Sequence, residues 1–206
     1  NWHAAVGTAD VAVRTIEHYD GGKPLFLKVS FARPHSPYDP PKRVLDKYKD
    51  IEMEAPAKGD WSKSIGADVT DPKAKPDAAF GQFGDEYAKN TIKHYYAAIT
   101  FIDEQVGRIV QALKEKGMYD NTIICFTSDH GDMMGDHYHW RKTYAYEGSA
   151  AIPYIVKFSK SMKTVKPVGS TIENPVELRD FLPTFVDLAG GAVPADMDGK
   201  SLKTLV

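Results

Sequence analysis

Tyr95, Ile99, Ile102, Val106, Ile109 and Leu113 recur at alternating steps of four and three, a rhythm that specifies an amphipathic helix. The spacing predicts a helix over 85–116, stopped at Gly117, since glycine readily takes the left-handed backbone that ends a helix. The period then changes. Residues 121–127 (NTIICFT) are apolar and rich in β-branched side chains, so they read as a strand, and they run into the polar cluster Ser128-Asp129-His130-Gly131-Asp132. A second strand is expected over 152–158 and a helix over 177–188.

Upstream, Val6, Val13 and Ile16 give 4–18 a helical pattern, which Asp20-Gly21-Gly22 breaks. Residues 25–32 (LFLKVSFA) read as a buried strand, and Pro34, Pro37, Pro40 and Pro41 force an extended loop directly after it. A short helix is expected over 43–49. Residues 52–79 mix Lys, Asp, Pro, Gly and Ala without a period and read as an irregular excursion. Strand, long helix, strand, polar loop and strand together predict an α/β fold, a mostly parallel sheet flanked by helices. Ligands of such sheets bind beyond the carboxyl ends of the strands. If the strands are parallel, the loops carrying His35 and Asp129 meet in one crevice.

The 206 residues suffice for one substantial domain; 42% are hydrophobic and 26% charged, as in ordinary globular proteins. A net charge of −2 disfavours nucleic acid and anionic membranes as partners. No apolar run reaches the roughly 18 residues needed to span a bilayer. The chain opens on Asn1-Trp2-His3 without an initiator Met or a signal-peptide pattern, so it is expected to be a piece of something longer. Cys125 is the single cysteine and excludes an internal disulfide.

Residues 128–142 (SDHGDMMGDHYHWRK) concentrate the candidate chemistry, with three Asp and three His inside eleven residues. At a strand end, Asp129 and His130 can offer one divalent ion a carboxylate oxygen and an imidazole nitrogen, with Gly131 turning the backbone so that they converge. The same spacing also suits a solvated loop whose Asp residues form Asx turns. Two ligands do not close a site, so further ligands would come from elsewhere. Lys142 offers a compact positive charge for a tetrahedral oxyanion, and His35, held on a proline-stiffened loop, could pass a proton or donate to a substrate oxygen. His137, His139 and Trp140 could line a pocket and stack on an organic leaving group or a sugar. Cys125, mid-strand, reads as a small buried hydrophobe rather than a nucleophile.

Four stretches, FLKVSFARPHSPYDPP, the run from Tyr95 through SDHGDMMGDH, WRKTYAYEGSAAIPYIVK and ELRDFLPTFVDLAGGAVPADMDGKSL, resemble in that order the sulfatase family of the alkaline-phosphatase-like superfamily. The resemblance spans nearly all of 1–206 except 52–79 and implies the C-terminal portion of a sulfatase catalytic domain. The fold would then be alkaline-phosphatase-like, incomplete at the N-terminus. It implies Asp129 and His130 as half of a calcium site, Lys142 as the lysine contacting sulfate, and His35 as the histidine near the bridging ester oxygen. A formylglycine nucleophile, matured from Cys or Ser in Cys/Ser-x-Pro-x-Arg, is also implied, and that segment is absent from these 206 residues. The chain alone is therefore expected to be inactive, with formylglycine supplied by a missing N-terminal part. The implied substrate is a small-molecule or carbohydrate sulfate ester. Periplasmic or secreted placement is favoured over cytoplasmic, because many members are exported. Sheet edges left bare by missing strands would invite self-association. Two rivals stand beside this reading: a phosphonate monoester or phosphodiester hydrolase of the same superfamily, and a non-catalytic binding module.

Overall fold

A computed structural model of the chain describes residues 3–62 and 80–205. Two compact units emerge, Asn1–Lys157 and Phe158–Val206. In the first, helix α1 (Ala4–Glu17) is opened by His3, whose ring accepts the Ala5 N–H at 3.2 Å and satisfies a donor that a helix start leaves bare. Its buried face is Ala5, Ala9, Ala12 and Ile16, a nearly flat stripe of small side chains. After the proline loop come the short helix α2 (Lys42–Leu45) and a 3-10 turn, Asp46–Tyr48.

The long helix α3 (Asp85–Glu115) lies against α1 and α2. One core cluster joins Ala5, Val44, Ala97, Phe101 and Ile102; another joins Ile16, Ala112 and Leu113. The buried face of α3 is rotated from the expected stripe. Ile102 and Leu113 are inside, but Ile99 is 42% exposed, and Ala97, Ala98 and Ala112 are buried instead. Alanine facing alanine lets two helix backbones approach closely, which longer side chains at those positions would prevent. The helix stops where expected. Gly117 takes φ +72°, its N–H reaches Lys114 O at 3.0 Å, and the Met118 N–H reaches Leu113 O at 2.8 Å, the paired bonds that close a helix C-terminus.

Strands β1 (Ile124–Thr127) and β2 (Tyr154–Lys157) lie within the segments expected for them, but they pair antiparallel, with Phe126 opposite Ile155. The expected mostly parallel sheet is not formed among the described residues. Residues 25–32 take no regular secondary structure and join no ladder among the described residues, and Leu25, Phe26 and Leu27 are 39, 77 and 38% exposed rather than buried. A strand persists only where a neighbouring strand pairs with it, and no ladder to 25–32 forms among the described residues. Between the strands lie the polar loop and a single helical turn, α4 (Glu147–Ala150).

In the second unit, the expected helix over 177–188 is a 3-10 turn, Leu178–Asp180, continuing into α5 (Phe181–Leu188). Asp180 accepts the N–H groups of Glu177 and Lys200, both at 2.9 Å, and these bonds hold its carboxyl below the usual range. The Gly199 turn is thereby tied to the helix start. No described helix is long and apolar enough to cross a membrane.

Candidate active site

The histidine loop and the polar loop after β1 do meet, although the strands are not parallel. Arg33 grips Asp39 at 2.5 and 3.0 Å across the base of the histidine loop, which contains cis peptide bonds at Arg33-Pro34 and Ser36-Pro37. Within it, His35 Nδ1 lies 2.9 Å from Ser36 O, and Nε2 lies 2.7 Å from Lys142 Nζ, 107 positions away. A carbonyl only accepts, so Nδ1 carries the proton and Nε2 accepts from the ammonium. The His35 ring also stands edge-on to His130, with centroids 5.9 Å apart.

His130 is oriented in the same way. Its Nδ1 donates to Gly131 O at 2.7 Å, which leaves the Nε2 lone pair uncommitted by that bond and 3.7 Å from Asp129 Oδ1. Imidazole metal ligands are commonly fixed by such a bond from the other ring nitrogen. The Asp129 side chain is 85% exposed, so its carboxylate is not consumed internally. The pair therefore fits one side of a divalent-ion shell. Among the described residues no group of three His, Cys, Asp or Glu could complete it. Gly131 is required at this turn, because a Cβ there would stand 2.3 Å from Gly148 O.

Sequence reasoning missed the residue that ties these segments together. Asp132 Oδ1 accepts the N–H groups of Met134 (3.0 Å) and Arg141 (2.8 Å), and Oδ2 accepts the Tyr38 hydroxyl at 2.7 Å, 94 positions away. One carboxylate thus fixes the loop holding His35, the turn after His130 and the residue before Lys142. Burial, then the Asp132 charge, pushes the Tyr38 phenol well above its ordinary range, so it stays a donor; the same causes raise Tyr95 to about 12. The bond to Met134 is an Asx turn, a pattern the Asp-x-x spacing could have signalled; the reach to Tyr38 leaves no local signal. Met134, His137, Tyr138, Arg141 and Thr143 all have positive φ, each a backbone state that costs about 1–3 kcal/mol and persists only where its surroundings enforce it.

The sulfatase family profile matches residues 7–192. The chain belongs to the sulfatase family. It is 39% identical to an arylsulfatase of Clostridium perfringens over 211 residues, covering 100% of this chain and 42% of that protein. Among solved structures, a candidate sulfatase of Bacteroides fragilis superposes with a TM-score of 0.77 at 33% identity, covering 100% of this chain and 41% of that one. A phosphonate monoester hydrolase of Agrobacterium radiobacter gives 0.78 at 28% identity, over 95% and 41%. The chain thus spans about two-fifths of the length of these relatives.

The aromatic residues expected to line a pocket of this sulfatase chain are divided by the structure. Trp140 is 5% exposed; its indole N–H donates to Gly81 O at 3.0 Å and its ring packs against Phe83 and Tyr87, so it belongs to the interior. His139 donates Nδ1–H to His137 O at 2.7 Å and packs against Phe80 and Tyr144. His137 meets an exposed ring that the sequence did not connect with it, Trp61, at 4.8 Å between centroids.

Cys125 is half-buried, and burial pushes its thiol up to about 11. At neutral pH it is a poor thiolate, as its mid-strand position predicted. Alkylation by iodoacetamide at pH 7.5 is expected to run at least about tenfold slower than for an exposed cysteine, followed by intact-protein mass spectrometry.

Proposed function

We propose that the intact protein hydrolyses sulfuric esters, with Lys142 and His35 meeting the transferring group and Asp129 and His130 holding one side of a divalent-ion site. The observation that carries this reading is the Lys142–His35 contact at 2.7 Å beside the His130 ring. It gathers a fixed positive charge, a proton-carrying ring and a ligand nitrogen from separate segments. Lys142 would neutralise charge on a tetrahedral oxyanion, and His35, once the ammonium has turned to that anion and Nε2 has taken up a proton from solvent, would donate Nε2–H to the ester oxygen. A bound divalent cation, calcium by family resemblance, would draw electron density from the sulfate oxygens. The chain contains no Cys/Ser-x-Pro-x-Arg segment for a formylglycine, so the 206 residues alone are proposed to be inactive. The substrate class is a small-molecule or carbohydrate sulfate ester, and export fits the resemblance better than a cytoplasmic site.

The rival is phosphonate monoester or phosphodiester hydrolysis, favoured by the structural likeness to the Agrobacterium enzyme. Sulfate and phosphate esters present the same tetrahedral oxygens to Lys142, so only turnover separates them. The intact protein is expected to favour 4-nitrophenyl sulfate over bis(4-nitrophenyl) phosphate by at least about tenfold in kcat/KM. The reverse preference would overturn the sulfatase reading in favour of the rival.

A further inference from the structure

Beside the Lys142 segment the chain builds a second feature, around His137 and two rings, Trp61 and Tyr146, to which no role has been given above. The segment before Trp61 is pinned to the turn around His137 by three hydrogen bonds. Ala57 N–H donates to Asp136 Oδ1 at 2.8 Å, His137 N–H donates to Ala57 O at 2.8 Å, and Gly59 N–H donates to His137 Nδ1 at 3.0 Å. Trp61 is thereby laid over Tyr146 in a stacked pair, with centroids 5.7 Å apart and planes 13° apart. Both rings flank His137, at 4.8 and 5.1 Å. Trp61 remains 43% exposed and Tyr146 37%. Large rings held rigid yet exposed present a flat apolar surface at little further cost in side-chain freedom.

The His137 tautomer adds a polar edge. Its Nδ1 accepts from Gly59, so the ring proton sits on Nε2 and is available as a donor. Tyr146 lies four residues after Lys142, and Tyr144, between them, packs on His139 at 4.2 Å, so the platform grows from the strand of chain that carries the oxyanion-binding charge.

We propose that Trp61 and Tyr146 form a stacking platform, edged by the His137 Nε2–H, for a pyranose ring on the leaving-group side of the sulfate ester. A pyranose offers one C–H face to an aromatic ring and hydroxyls around its rim to a donor, which matches this combination better than a hydrocarbon or a quaternary ammonium would. The assignment rests on the sulfatase reading for the position of the sulfate, but not for the binding of the sugar itself.

The test measures the intact protein and its Trp61→Ala and Trp61→Phe variants on N-acetylglucosamine 6-sulfate, 4-nitrophenyl sulfate and choline sulfate. Trp61→Ala is expected to raise KM for the sugar about five- to tenfold with kcat within about twofold, Trp61→Phe to recover most of that loss, and choline sulfate to be unchanged. An unchanged KM for the sugar, or an equal rise on all three substrates, overturns the platform. A rise confined to the nitrophenyl ester overturns the pyranose assignment. Saturation-transfer NMR with unsulfated N-acetylglucosamine decides independently of turnover: transfer lost in Trp61→Ala supports the platform, and transfer absent from the wild type or retained in the variant overturns it. Failure to cleave any ester would count against the sulfatase reading and leave that NMR result standing.

Discussion

Lys142→Ala in the intact protein is expected to lower kcat/KM for a sulfate ester by about a hundred- to a thousandfold, the range seen when one oxyanion-stabilising donor is removed. The expectation is large because the partner of Lys142 is an imidazole nitrogen, not a carboxylate. A lysine paired with Asp or Glu has its charge answered before substrate arrives; this one brings its charge to the anion. Truncation also removes the donor that holds His35 Nε2, so two groups lose their arrangement at once. Lys142→Arg should recover only part of the loss, since a planar fork replaces a compact point charge. Steady-state kinetics on the three proteins checks this, and a Lys142→Ala enzyme within about fivefold of wild type would remove the residue from the reaction.

Asp132→Ala is expected to cost about 2–4 kcal/mol in unfolding free energy, because the N–H groups of Met134 and Arg141 and the Tyr38 hydroxyl lose a charged acceptor together. The same change should lower kcat by about a hundredfold, since small displacements of reacting groups are that costly. Asp132→Asn keeps an oxygen for the two backbone donors and should retain most of the stability. Tyr38→Phe removes only the cross-loop bond and should cost about 1 kcal/mol. Urea unfolding read beside kcat separates the effects. If Asp132→Ala unfolds as easily as expected but keeps full kcat, the carboxylate holds the fold and not the site.

The helices were legible because burial on one face imprints a period. The 3.6-residue rhythm of 85–116 and the glycine beyond it located α3 to within a residue of its end. The rotation of its buried face was not legible, because which side of an alanine-rich helix goes inward depends on the partner, and the partner's stripe lies some hundred positions away in the chain. Residues 25–32 failed for a related reason. Their composition says strand, but a strand is a relation between segments, and no described segment completes it. At the site, clustering drew attention to Asp129 and His130, whereas the approach of Lys142 to His35 came only from resemblance, since nothing local links positions 107 apart. Trp140, a pocket candidate by sequence, lies 5% exposed, while Trp61, which the sequence did not single out, is 43% exposed. Both are tryptophans in irregular segments, where no period in the sequence tells which ring is folded inward.

The exposed apolar side chains of 25–27 have a practical corollary. Leu25, Phe26 and Leu27 are exposed in an apolar run, and the cross-strand partners Phe126 and Ile155 are exposed as well. Exposed apolar side chains on two patches give like chains a surface to bury against one another. Handled by itself at high concentration, the chain should behave as an adhesive colloid, gaining dye-binding aggregates with time. A charged residue at Phe26, which is 77% exposed, is a place to blunt that tendency.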